Sequence, residues 1–156
     1  MDYFCLGKCF SILQKRYTGA LSLKLVGTPI EKYFVPFHVI ARNSDAINQC
    51  QLGEELLIDK ASMVRIIDTL SESGMIERTV NPDDRREHLL KLTEEGEKWK
   101  VIIRKHIQEV NDTFLDFLPE TDSLKFTESL VLMTDSILEL PIEPQKGTTG
   151  RKSHFR

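Results

Sequence analysis

The sequence lacks the features that mark secreted or membrane-spanning proteins. It has only three cysteines, Cys5, Cys9 and Cys50, with no CxxC pair, and so offers no disulfide framework. No apolar run approaches the roughly 20 residues needed to cross a bilayer. Charged residues, beginning with Asp2 and Lys8, interrupt the apolar N-terminus, which argues against a signal peptide. We therefore expect a cytoplasmic protein without a membrane partner.

Motifs for catalysis and for metal binding are missing too. The sequence has no glycine-rich phosphate loop and no nucleophile elbow. Its candidate metal ligands, His38, Cys50, His88 and His106, are scattered, and no two stand at i, i+4 on one helix. We therefore expect a protein that is not an enzyme and that binds no metal and no cofactor.

What remains is the composition of an ordinary soluble domain. The chain has 156 residues, of which 40% are hydrophobic and 29% charged, enough for one domain with a proper core. Its net charge of −3 gives no overall basic character. Any contact with nucleic acid must therefore come from locally placed lysines and arginines.

Apolar residues at helical spacing predict long helices at both ends of the chain. The predicted ranges are residues 2–26, 29–42, 94–118 and 120–140. Gly27 is a natural end for the first, Thr28 a cap for the second, and Pro119 separates the last two. We expect a kink or a break at Pro36 and a turn at residues 43–45. Residues 141–156 have the composition of a disordered tail.

The middle of the chain predicts a helix-turn-helix. A short helix from Asn48 to Leu57 precedes a second one from Lys60 to about Ser73, with Asp59 as its N-cap and Gly74 as its C-cap. Gly53, inside the first helix, would let the second cross closely. In proteins with this motif the second helix enters the major groove of DNA.

The second of these helices has two different faces. Helical spacing places four apolar residues on the core side: Met63, Ile66, Ile67 and Leu70. The opposite side carries Ala61, Val64, Arg65 and Asp68. Small side chains allow close approach to a groove, a valine can contact a thymine methyl, and an arginine can bind guanine or phosphate. The alternative is a solvated surface on which Val64 is an isolated exposed valine.

Two predicted strands, residues 75–80 and 87–92, follow and enclose a turn with two adjacent acids and two adjacent arginines. From residue 59 onward, DKASMVRIIDTLSESGMIERTVNPDDRREHLLKLTEEG resembles the multiple-antibiotic-resistance regulator (MarR) family of bacterial transcription factors. The matching positions are Asp59, Arg65, Leu70, Gly74, Asp84, Arg85, Arg86, Leu92, Thr93 and Gly96. The resemblance implies a mainly α fold with a small β-hairpin wing, in one domain of residues 1–140. Residues 44–93 would form its winged helix-turn-helix, and residues 2–26 and 94–140 its dimerisation helices.

The resemblance further implies a homodimer that binds a pseudo-palindromic operator in double-stranded DNA. We expect this protein to be a repressor. The DNA-contacting residues would be Lys60, Ala61, Ser62, Val64, Arg65, Thr69, Arg85 and Arg86. Arg86 would enter the minor groove and Arg85 would meet phosphate. Asp84 would brace a neighbouring arginine by a charge-assisted hydrogen bond. Alternatively, the acids and arginines of the turn neutralise one another in solvent.

Members of the family are commonly released from DNA by a small ligand or a stress signal. The candidate ligand pocket here comprises Tyr17, Tyr33, Phe34, Phe37 and His38, although aromatic stripes usually belong to the core. Cys9 is a candidate oxidant sensor, although a helical cysteine is more often a small hydrophobe. From Asp59 to Lys91, six basic residues face seven acidic ones. That balance leaves a second interpretation open, a winged-helix protein-interaction module without DNA binding.

Overall fold

The structure, a computed structural model, describes residues 5–43 and 46–138. The elements within these ranges are α1 (Leu6–Lys24), α2 (Phe34–Arg42), β1 (Ile47–Asn48), α3 (Gln49–Leu56), α4 (Lys60–Glu72), β2 (Ile76–Val80), β3 (His88–Leu92), α5 (Glu94–Leu115) and α6 (Glu120–Leu138). The predicted class, mainly helical with a small hairpin, is confirmed. The predicted tail, the turn at residues 44–45 and the outer ends of the first and last helices lie outside the described residues.

The connection between α1 and α2 differs from the prediction. The first helix ends at Lys24, with Leu25 as its C-cap, and Gly27 (φ +76°) lies in a series of turns over residues 25–33 that precedes α2. Ile30, within these turns, is fully buried and anchors them to the core. The kink predicted at Pro36 was wrong. Pro36 is the third residue of α2, and in the first turn of a helix the amide it lacks would have no partner.

The helix-turn-helix has the predicted boundaries to within a residue. Asn48 caps α3 in a reciprocal capping box with Gln51, and Leu57 ends that helix in the left-handed conformation. Asp59 caps α4, which we call the reading helix. An added Cβ at Gly53 would lie 3.2 Å from the carbonyl oxygen of Ile58. The glycine therefore accommodates the turn between the helices, and not α4 itself as predicted.

The sheet has one strand more than predicted. β2 and β3 form the expected antiparallel hairpin, with Val80 opposite His88. On its other edge, β3 pairs with β1, with Ile47 opposite Leu90, so that the strand order is β1-β3-β2. We call the hairpin with its turn at residues 81–87 the wing. Through β1, the wing is hydrogen-bonded to the start of the helix-turn-helix.

The core confirms the predicted inner face of the reading helix. Met63, Ile67 and Leu70 are fully buried, and Ile66 packs partly buried beside them. Burying a side chain of this size stabilises the fold by about 1.5–3 kcal/mol. The inner stripe therefore fixes which face of α4 points outward.

The start of α5 is joined to the end of the reading helix. The Thr93 hydroxyl accepts a hydrogen bond from the amide of Gly96 (3.0 Å) and donates one to the carbonyl of Gly74 (2.6 Å). An added Cβ at Gly96 would lie only 2.1 Å from the carbonyl oxygen of Met75. Only glycine fits there, and α5 therefore begins in direct contact with the backbone that follows α4.

Candidate nucleic-acid interface

The outer face of the reading helix carries the residues predicted to contact DNA. Lys60, Ala61, Arg65 and Thr69 are exposed, Val64 is 36% exposed, and Ser62 is half-buried. The Thr69 hydroxyl donates to the carbonyl of Arg65 (2.9 Å). The structure thus brings all six side chains onto the outer side of one helix, although it does not test their contact with DNA.

Two acidic residues, Asp59 at the N-cap of this helix and Asp68 within it, form contacts within the protein. The carboxylate of Asp59 accepts hydrogen bonds from the amides of Ala61 (3.1 Å) and Ser62 (3.0 Å). Hydrogen bonding from Ser62, then from Ala61, lowers the pKa of Asp59, and the charge of Arg65 adds to the effect. Asp68 forms an ion pair with Arg78 of β2.

The basic residues of the outer face, unlike Asp68, have no paired side chain among the described residues. Across residues 5–43 and 46–138, Lys60 and Arg65 take part in no ion pair. Among the described residues, the two cations of this face therefore form no ion pair, whereas Asp59 caps the helix and Asp68 pairs with Arg78.

The turn of the wing is held by side-chain oxygens of Asp84 and Asn81 that accept from backbone amides. Asp84 Oδ1 accepts a hydrogen bond from the amide of Arg86 (2.9 Å), and Asn81 Oδ1 accepts one from the amide of Asp83 (3.0 Å). The partner of Asp84 is thus a backbone amide, where the sequence suggested a guanidinium. Within the described residues neither Arg85 nor Arg86 forms an ion pair, and both are exposed. Asp84 therefore holds the backbone of the turn and, among the described residues, forms no ion pair with either arginine.

Three polar residues at the base of the wing escaped the sequence analysis as a group. Glu87 Oε2 accepts hydrogen bonds from Asn48 Nδ2 (3.2 Å) and from Asn81 Nδ2 (3.4 Å). Asn48 lies 39 residues before Glu87, so no local pattern could have paired them. The one signal was the strong turn preference of Asn81.

The aromatic residues predicted to line a ligand pocket are mostly packed within the protomer. The Tyr17 hydroxyl donates to Asn111 Oδ1 (2.7 Å), and its ring packs edge-on against Phe114 at 5.4 Å. Burial raises the pKa of Tyr17. Phe34 and Phe37 belong to the core.

The other two candidates, Tyr33 and His38, are half-buried. Burial, together with the charge of Arg42, lowers the pKa of His38. A cleft of about 350 Å³ lies elsewhere, between α2, β3 and α5. Its lining residues are Ile40, Ala41, Asn43, Ala46, Leu90, Lys91, Leu92, Glu97 and Lys100. The predicted pocket residues do not line this cleft, and their role stays a prediction.

The described residues offer few features that would support cysteine chemistry or metal binding. Cys9 is half-buried on α1, and Cys5 and Cys50 are exposed. In the described ranges, no three His, Cys, Asp or Glu side chains are grouped so as to hold a metal. Sensing by Cys9 stays a prediction. The described helices include none that is long and apolar enough to cross a membrane.

The terminal helices expose an extensive apolar surface. Apart from half-buried Ser123, every α6 side chain that the structure describes is exposed. The large apolar residues exposed on α6 are Leu124, Phe126, Leu130, Val131, Leu132, Met133 and Ile137, and those on α1 are Leu6, Phe10, Ile12, Leu13 and Leu23. Apolar surface of this extent typically marks a site of protein association.

Comparisons with known proteins agree with this architecture. Residues 39–88 match the sequence model of the MarR family. The fold is similar to that of a MarR transcriptional regulator from Methanosarcina mazei Go1, with 28% identity and a TM-score of 0.73 over 85% of this chain and 96% of that one. MarR is similar at 22% identity, with a TM-score of 0.78 and coverage of 88% and 94%. CouR from Rhodococcus jostii RHA1, solved with p-coumaroyl-CoA bound, is similar at 24% identity, with a TM-score of 0.72 and coverage of 88% and 94%.

Proposed function

Because residues 39–88 belong to the MarR family and the chain has the fold of its transcription regulators, we propose that it represses transcription as a homodimer bound to a pseudo-palindromic operator. The observation that carries this proposal is the state of four basic residues, Lys60, Arg65, Arg85 and Arg86. They are exposed on the reading helix and the wing, and no acid of the described residues pairs with them.

The reading helix suits the major groove. Ala61 and Ser62, in its first turn, are small enough to permit close approach to base edges. Val64 offers a methyl surface for thymine, and Arg65, one position on, offers a guanidinium for guanine or for phosphate. A bidentate arginine–guanine contact discriminates by about 1–3 kcal/mol against a wrong base. Arg65 is therefore the residue we expect to contribute most to sequence preference.

The wing suits the minor groove beside it. A narrow minor groove has an enhanced negative potential that attracts an inserted arginine. The amide of Arg86 donates a hydrogen bond to Asp84, and its guanidinium is exposed and forms no ion pair with the residues that the structure describes. Arg85, its neighbour, is placed for the phosphate backbone. In this arrangement Arg86 adds a preference for A·T-rich flanks, and Arg85 adds affinity without sequence preference.

The apolar faces of α1 and α6 support assembly into a dimer. Leu124, Val131 and Leu132 of α6 are between 56% and 68% exposed in the protomer. Covering such side chains with a second copy contributes roughly 25 cal/mol for each Å² of apolar surface removed from water. A symmetric dimer also places two reading helices about one turn of DNA apart, as a pseudo-palindrome requires.

An effector that releases the operator is also part of the proposal. The cleft between α2, β3 and α5 is lined by two lysines, Lys91 and Lys100. Lys100 is paired with Glu97 of the same lining (3.4 Å), so Lys91 is the cation that we expect to attract an anionic ligand. Trp99, partly buried and the only tryptophan of the chain, is next to Lys100 and gives a fluorescent probe. Titration with aromatic carboxylates should change its emission and weaken operator binding together. A change in emission without loss of binding would count against release through this cleft.

The decisive experiment is selection from a random duplex library, with the enriched sites retested at two salt concentrations. We expect an enriched pseudo-palindrome whose affinity falls with salt in proportion to the phosphates neutralised. Arg65→Ala should lose roughly 5- to 150-fold in affinity and relax the preference at one position per half-site. Arg104→Ala, which removes an exposed arginine from α5, is the matched control and should bind like the wild type. No enrichment by the purified dimer, with or without effector, would favour the interaction-module alternative.

A further inference from the structure

We propose that Glu87 is a positioning residue for the wing. Its carboxylate ties the wing to the N-terminal cap of α3 and so sets where Arg86 meets the minor groove. The proposed contact of Arg86 rests on the DNA-binding function proposed above, whereas the tie itself does not.

The wing closes on Glu87 through both its backbone and its side chain. The amide of Asn81 donates to the carbonyl of Glu87 (3.0 Å), and the amide of Glu87 donates to the carbonyl of Asp84 (3.0 Å). The carboxylate, half-buried, then accepts from the side-chain amides of Asn81 and Asn48. One carboxylate oxygen, Oε2, therefore joins the two ends of the wing turn to a residue outside the wing.

Asn48 Nδ2 is available to the Glu87 carboxylate because the side-chain oxygen and the backbone amide of Asn48 already form other hydrogen bonds. Its Oδ1 accepts from the amide of Gln51 (2.9 Å), and its backbone amide donates to Gln51 Oε1 (3.0 Å). The capping box thus leaves Nδ2 as the group that faces Glu87. Asn48 also pairs with Leu89 across β1 and β3. The cap of α3 and the base of the wing are consequently one hydrogen-bonded unit.

The direction in which a Glu87 substitution changes the affinity for DNA distinguishes a positioning role from electrostatic repulsion. A carboxylate close to DNA repels phosphates, so removing its charge should tighten binding if charge were all that mattered. If Glu87 positions the wing, removing its side chain should weaken binding, because Arg86 loses its fixed approach. Glu87→Gln removes the charge and keeps an oxygen that can accept both hydrogen bonds. It should therefore preserve the wing where Glu87→Ala does not.

The first arm of the test needs no DNA. Amide hydrogen exchange of the full chain is compared for the wild type, Glu87→Ala, Glu87→Gln and Asp83→Ala. Asp83 is the control because no hydrogen bond to its side chain is described, while its charge lies in the same turn. We expect exchange at Asn81 and Arg86 to accelerate at least tenfold in Glu87→Ala and to stay within about threefold of the wild type in the other two. Unchanged exchange in Glu87→Ala would overturn the proposal.

The second arm measures affinity for the selected operator with A·T-rich and with G·C-rich flanks. Glu87→Ala should bind about tenfold more weakly and lose the flank preference, as we also expect of Arg86→Ala, while keeping the base preference that we assign to Arg65. Glu87→Gln should bind at least as well as the wild type. Tighter binding by Glu87→Ala with its flank preference intact would overturn the positioning role. If the wild type binds no duplex, the proposed function fails, and the exchange measurement still decides whether Glu87 holds the wing.

Discussion

The substitution Gly96→Ala would place a methyl group against the backbone that joins the reading helix to the wing. Its carbon would lie 2.1 Å from the carbonyl oxygen of Met75, about 0.9 Å inside the distance below which such contacts are essentially never seen. The same carbonyl accepts the amide of Thr93 at 3.2 Å. Backbone on both sides must therefore shift, and no flexible side chain can absorb the clash.

The cost follows from what the shift disturbs. Overpacking at a well-packed position costs about 1–3 kcal/mol, and weakening the Thr93 hydrogen bonds to Gly74 and Met75 costs about 1 kcal/mol each. The better helix propensity of alanine returns up to about 1 kcal/mol. The net loss in the free energy of unfolding should be about 2–4 kcal/mol, and the Tm should fall by roughly 10 °C.

Urea and thermal unfolding, followed by circular dichroism at one fixed protomer concentration, would measure this loss. Gly19→Ala on α1 is the matched control, because an added Cβ there meets nothing within 4 Å. It should leave the protein as stable as the wild type or up to about 1 kcal/mol more stable. A loss below about 1 kcal/mol in Gly96→Ala would refute the close approach of α5 to the end of the reading helix.

Three further substitutions test other parts of the structure. Leu57 has φ +53°, in the left-handed region that favours glycine, and is 61% exposed. Leu57→Gly should therefore stabilise the protein by up to about 1 kcal/mol in urea unfolding. Leu57→Ala, which keeps the backbone strain, should not. The pKa of Asp59 is lowered in the folded state, so its carboxylate stabilises the fold above its unfolded pKa, and this contribution is lost as the pH falls through the folded value. Asp59→Asn, which can still cap, should show a smaller loss of stability on acidification, and an identical acid profile would contradict the cap's role. Leu130→Lys on α6 should shift the proposed dimer towards monomer in sedimentation, while Glu128→Lys should not; equal dissociation of the two would argue against an apolar interface there.

The helix-turn-helix could be predicted because its ends are marked by local chemistry. A capping residue precedes α4 and a glycine with φ +72° follows it, so both ends are determined within a few residues of sequence. The start of α2 could not be predicted in the same way. Thr28 and Pro29 suit a turn as well as a helix start, and burial of Ile30 in the tertiary structure decides between them.

The parts of the candidate site that sequence analysis missed depend on residues distant in the chain. β1 has only two residues, too few for an alternating pattern, and it exists because β3 is beside it. In the sequence, Glu87 is one of several acids in a charged turn, and only the fold brings its partner Asn48 next to it. The arginines could be identified from sequence, but only the fold shows that, among the described residues, Arg65, Arg85 and Arg86 form no ion pair.

The two apolar surfaces proposed for the dimer come from opposite ends of the described chain. α1 precedes the reading domain and α6 follows it, roughly a hundred residues later. At a synthesis rate of about 5–20 residues per second, some 5–20 s separate the emergence of the two helices from the ribosome. During that interval the apolar face of α1 has no mate within its own chain, and the reading domain is finished first. The proposed assembly through both helices would therefore follow synthesis of the helix-turn-helix and the wing, and the apolar face of α1 would wait for α6 until then.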